Sequence, residues 1–209
     1  MSSPTDTDTD VGAVGNSRLT AVSGMLLLVL LAVEGGTILS IGQFISWHIY
    51  VGVLLVGPVL LKCASTCYRF ARYYSGTEEY VRKGPPHLIL RLLGPLVVVS
   101  SVAVLGTGIG LIYTGPDHRE PLLTLHKVSF GVWFAVTTIH VLGHLLEAGN
   151  ATWHELRDPH VARVARGRGL RTAAVVLSLA AGVGLASALY PTAHGWTSGG
   201  AVEHEQESH

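Results

Sequence analysis

Five stretches, at roughly 20–45, 47–73, 87–113, 122–148 and 170–190, are each long and apolar enough to cross a lipid bilayer, and nothing else constrains the chain as strongly. A spanning helix needs about 20 mostly apolar residues. Inside lipid every backbone N–H and C=O must find a partner within the protein, which a helix provides from its own turns. Composition agrees, because only 13% of residues are charged, against about 25% in an average soluble domain. The expected fold class is all-α: a polytopic transmembrane bundle of five helices spanning 18–190. Residues 1–17 and 191–209 read as polar ends, both expected to be disordered. The acidic start MSSPTDTDTD lacks the positive region of a signal peptide, so the first run is expected to stay in the membrane.

The basic residues give an orientation. Arg69, Arg72, Arg82, Lys83 and Arg91 lie in or beside the loop between the second and third spans, and Arg157, Arg163, Arg166, Arg168 and Arg171 in or beside the loop between the fourth and fifth. Arg18 precedes the first span, and helix parity puts all of these on one side; the other side holds Arg119 and Lys127. Positive loops stay in the cytoplasm. A multi-pass protein of the plasma (inner) membrane follows, with its N-terminus inside and its C-terminus outside. Cys63 and Cys67 then face a reducing compartment, four apart on one helix, and no disulfide is expected. Two small packing residues, or a thiol metal site, account for them.

Ionisable residues inside lipid are functional candidates by default. Glu34 stands in the first span, His48 and Lys62 in the second, His87 and Arg91 at the start of the third, and His126, Lys127, His140 and His144 in the fourth. His140 follows His126 by 14 residues, which on a helix means azimuths about 40° apart and a separation of roughly 21 Å. His144 follows by 18, giving the same azimuth and roughly 27 Å. Each centre needs a partner at its own depth. The second and fourth spans run the same way, which pairs His48 with His126 near the outer surface. The third runs back, which brings His87 to the inner surface beside His140 and His144. Two facing histidines in a helix bundle suit haem. Zinc and copper sites gather three or four donors, and no third joins either pair.

A histidine pair 14 apart on one span, partner histidines on other spans, and the stretches WHIYVG, KGPPHLILRLLGP and LHKVSFGVWF…HVLGH together resemble the membrane-bound b-type cytochromes. That family includes the cytochrome b subunits of respiratory dehydrogenases, hydrogenases and molybdenum oxidoreductases, and the resemblance covers His48 to His144. It implies a haem-binding four-helix core, one or two haems b, and electron transfer across the membrane as a partner or subunit of a larger redox system. The haem-binding residues it implies are His48, His126, His140, His87 and His144. Members use spacings of both 14 and 18, so His140 and His144 remain alternatives. Lys62 stands 14 residues after His48, where a second histidine would be expected, so the inner centre either draws His87 from the third span or is absent.

Lys127, Arg119, Arg91 and Lys62 are candidates to pair with haem propionates. Long side chains reaching the headgroups explain Arg91 and Lys62 equally well. Glu34 can take a proton from a quinol, hydrogen-bond a ligand histidine, or pair with Lys62. The glycines Gly35, Gly36, Gly52, Gly57, Gly106, Gly108, Gly110, Gly131 and Gly143 allow close helix approach, or leave room for a flat macrocycle. Expected partners are a redox protein or a quinone, and membrane lipid, with no nucleic acid. There is no Gly-rich nucleotide fingerprint, so an electron-transfer subunit is expected rather than a self-contained oxidoreductase. Two rival readings are a proton-coupled transporter or channel and a membrane anchor or assembly protein without cofactor. The first would spread polar residues along a face at mid-depth, and the second leaves His140 without a purpose.

Overall fold

The computed structural model describes the backbone at residues 5–78, 81, 88–155 and 168–198, and side chains within 19–78, 81, 92–143 and 169–198. All secondary structure in these residues is helical. The helices are α1 (Thr5–Ile38), α2 (Ile41–Leu54), α3 (Val56–Tyr74), α4 (Leu88–Thr114), α5 (Leu122–Glu155) and α6 (Arg168–Leu189). A 3₁₀ turn, Tyr190–Ala193, and the short α7 (His194–Thr197) follow. Only Leu55 separates α2 from α3, and its N–H still bonds the Val51 carbonyl, so the two form one crossing. Five segments are therefore long and apolar enough to cross a membrane: Leu19–Ile38, Ile41–Tyr74, Leu92–Thr114, Leu122–Gly143 and Gly169–Thr197. They are compatible with a multi-pass membrane protein.

Three boundaries differ from the sequence reading. The first span ends at Ile38, not near residue 45, and the chain turns at Leu39 and Ser40. Gly35, Gly36 and Gly42 flank this turn, and the Leu39 N–H bonds the Gly36 carbonyl; averaged hydropathy runs over it because Ile38, Leu39 and Ile41 are apolar. Glu34 therefore sits one turn from the end of α1, not at mid-span. At the other end of α1, the helix continues back to Thr5, taking in most of the segment expected to be disordered. The third difference is at the C-terminal side, where the start of the polar tail is ordered. Ala193 is completely buried, and the Trp196 indole donates to the Leu111 carbonyl at 2.9 Å.

Helix α6 packs on α2 and α3, α1 packs on α2 and α3, and α5 lies along α4. The seam between α2–α3 and α6 is closed by glycine. A Cβ on Gly57 would collide with the Ser178 carbonyl, and one on Gly182 with the Leu54 carbonyl. Val53, Ile112, Ala186 and Ala193 form a small core where α2, α4, α6 and the C-terminal turn meet. By contrast, α5 makes no close packing with α1, α2, α3 or α6 among the described residues, and none of its most apolar stretch is fully buried. At the end of α4, Gly115 takes φ +69° and its N–H bonds the Leu111 carbonyl, which stops the helix below the loop to α5.

Candidate functional site: a histidine pair between α2 and α5

His48 enters from α2 and His126 from α5, and their ring centres lie 6.5 Å apart with the planes at 76°. The two rings bring α2 and α5 into side-chain contact. A metal–imidazole nitrogen bond is about 2.0 Å, so two imidazoles opposed across one metal ion have centres roughly 6–7 Å apart. The observed separation matches.

Hydrogen bonding settles which nitrogen each ring presents. The Thr37 hydroxyl donates to the Glu34 carbonyl at 2.5 Å, so its oxygen must accept from His48 Nδ1, 3.1 Å away. Glu34 Oε1 lies 2.8 Å from the same nitrogen. Two acceptors thus place the hydrogen on Nδ1 of His48 and the lone pair on Nε2. Across the gap, the Thr107 hydroxyl lies 2.8 Å from the Ala103 carbonyl and 3.0 Å from that of Val104. Two carbonyls can only accept, so Thr107 donates to them and receives the Nδ1 hydrogen of His126 at 3.0 Å. Both rings are therefore held through Nδ1–H, the usual arrangement for metal-ligating histidine, which leaves Nε2 as the donor atom.

Small residues make space for these side chains. A Cβ on Gly52 would lie 3.1 Å from Glu34 Oε1, and one on Gly108 would lie 3.1 Å from His126 Cε1. Nothing stands within 4 Å of a Cβ on Gly35, Gly36, Gly106 or Gly131. The expected glycines thus divide, with Gly57 serving close backbone approach and Gly52 and Gly108 accommodating polar side chains.

Of the three roles open to Glu34, the geometry brings it to a histidine. Lys62 is far away: its ammonium donates to the Thr20 carbonyl at 2.6 Å, and Thr20 precedes Glu34 by about 21 Å along α1. Lys127 and Arg119 lie near this end of the bundle, and both are exposed. Thr37 and Thr107 were not singled out from the sequence. Both sit within one turn of an expected feature, Glu34 or Gly108, but an isolated threonine in a span ordinarily bonds only its own helix.

The second histidine pair is not assembled among the described residues. His140 is half-buried on α5, on the same stripe as His126, Ser129 and Trp133. Ser129 lies 3.3 Å from Thr107, and the Trp133 indole donates to Ser101 at 3.0 Å. Continuing that antiparallel register puts His140 level with Gly94, roughly 9 Å along α4 from Leu88. His87, its expected partner, lies outside the described residues, and so do the side chains of His144 and Arg91. Cys63 and Cys67 are free thiols on α3, as expected.

No protein-family model, curated protein or solved structure matches the chain. The residues must therefore speak for the site. Among the described ones, no three His, Cys, Asp or Glu side chains gather where they could hold a bare metal ion. Two opposed imidazoles suit a metal whose remaining positions are filled by another ligand, as a porphyrin fills four.

Proposed function

We propose that the chain is an integral-membrane b-type cytochrome in which His48 and His126 hold one haem from opposite faces. The observation that carries the proposal is the pair itself: two imidazoles from different helices with ring centres 6.5 Å apart, each anchored through Nδ1. Bound haem iron would supply one-electron chemistry. The chain's own part is to present two Nε2 atoms, fix both ring orientations through Glu34, Thr37 and Thr107, and keep water out with apolar walls.

A second haem would draw on His140 or His144 of α5, with His87 as its partner. With two centres the protein would pass electrons between partners at the two membrane faces, a redox protein or a quinone at either. Arg119 and Lys127 are the basic residues available to propionates at the His48 end.

The test is a dithionite-reduced minus oxidised visible spectrum of the detergent-purified protein, with haem and protein quantified together. A b-type spectrum with one haem per chain supports the His48–His126 centre, and two per chain support the second as well. Colourless protein from haem-replete cells would sink the proposal.

A further inference from the structure

The two rings are held by chemically different groups. His126 has only neutral partners, the Thr107 hydroxyl 3.0 Å from its Nδ1 and the backbone of Val104. His48 has a hydroxyl and a carboxylic side chain, Glu34, at 2.8 Å. Glu34 is well enclosed, its side chain 13% exposed. Its second oxygen, Oε2, is buried without a hydrogen-bond partner among the described residues. An ionisable side chain in an apolar span is costly to keep, and helix packing gives no reason for this one. Gly52 leaves the space it occupies, and the Leu39–Ser40 turn folds α1 back so that it reaches α2. The whole corner is arranged around one contact, from Oε1 to the ring nitrogen of His48.

We propose that Glu34 is a positioning residue that makes His48 the stronger electron donor of the two axial ligands and holds the reduction potential of the centre low. This inference rests on the haem reading above. A carboxylate that accepts the Nδ1 hydrogen draws it from the ring and raises the basicity of Nε2. A more basic ligand stabilises the oxidised metal over the reduced one, and so favours giving the electron away. A hydroxyl whose own hydrogen is committed to a backbone carbonyl, as in Thr107, draws the proton far less. The asymmetry lies between two faces of one centre, and Glu34 is its source.

The experiment is a redox titration of the visible spectrum, with haem content measured, on wild type, Glu34→Gln, Glu34→Asp and Thr107→Val. Glu34→Gln should keep its haem and shift the midpoint potential upward. Glu34→Asp, which keeps the carboxylate, should return part of the way to wild type. Thr107→Val should shift the potential less than Glu34→Gln. An unmoved potential in a haem-loaded Glu34→Gln protein overturns the inference and leaves the cytochrome reading intact, and so does an equal or larger shift in Thr107→Val. If Glu34→Gln loses its haem, Glu34→Asp decides, since its shorter side chain lengthens the contact. An upward shift there supports the inference, whereas an unchanged potential, or no haem in that variant either, overturns it. A wild-type protein without haem overturns both readings.

Discussion

Two helix interfaces in this molecule are built on opposite plans. Where α2 and α3 meet α6, glycines bring the backbones together, with Gly57 against the Ser178 carbonyl and Gly182 against that of Leu54. Where α2 meets α5, imidazoles from the two helices bring their ring centres to 6.5 Å. Lipid gives apolar helices little reason to prefer each other over hydrocarbon, so close packing and interhelical hydrogen bonds decide which faces join. The α6 seam uses close packing. The described contact between α2 and α5 is a pair of imidazole rings, each hydrogen-bonded to another helix. A glycine in a span therefore has no fixed meaning, and its neighbour across the interface decides it.

The contrast can be broken first at the closed seam. Gly57→Ala places a methyl group against a backbone carbonyl that cannot move aside alone, and overpacking of this kind costs about 1–3 kcal/mol or more. We expect a large loss of folded protein, measured as monodisperse yield and thermal stability in detergent. Gly35→Ala, with nothing within 4 Å, should leave both unchanged. At the open face, His126→Ala and His48→Ala should each abolish the reduced-minus-oxidised haem signal while the helical circular-dichroism spectrum persists. Loss of helix together with the signal would make these histidines structural. Gly108→Ala tests the fit more finely. Its methyl group would sit 3.1 Å from His126 Cε1, so we expect haem to bind with a displaced ring, seen as a shifted α-band and a lower haem-to-protein ratio. The smallest effect belongs to Lys62→Met. It removes one hydrogen bond to the Thr20 carbonyl, about 1 kcal/mol, and should leave the haem content unaltered.

The spans were legible because twenty apolar residues in a row have few other uses. The pairing of His48 with His126 was legible too, since span parity alone puts both at one depth. What the sequence hid was local. The glycines around the Leu39–Ser40 turn read equally well as packing residues within one long apolar run, so the run hid the turn that makes Glu34 a neighbour of His48. Thr37 and Thr107 act through partners on other helices, and nothing in their local pattern announces that. The segment around Trp196 reads as a polar tail, yet one indole and one small alanine suffice to dock it on α4. Among the described residues, the opposite end of the bundle shows no comparable convergence. Lys62 and Ser65 there meet residues of α1, with Lys62 on the Thr20 carbonyl and Ser65 3.3 Å from the Thr20 hydroxyl, and neither points to a ligand.

With a haem held as proposed, the 76° between the two imidazole planes would have a magnetic consequence. Parallel imidazoles push unequally on the two iron d orbitals that lie along the haem normal and split their energies. Crossed imidazoles push on both almost alike and leave them nearly degenerate. An unpaired electron shared between such orbitals keeps much of its orbital angular momentum. Oxidised protein frozen at helium temperature should then show a low-spin resonance spread far downfield, with one very large g value, and not the compact three-line pattern of parallel ligands.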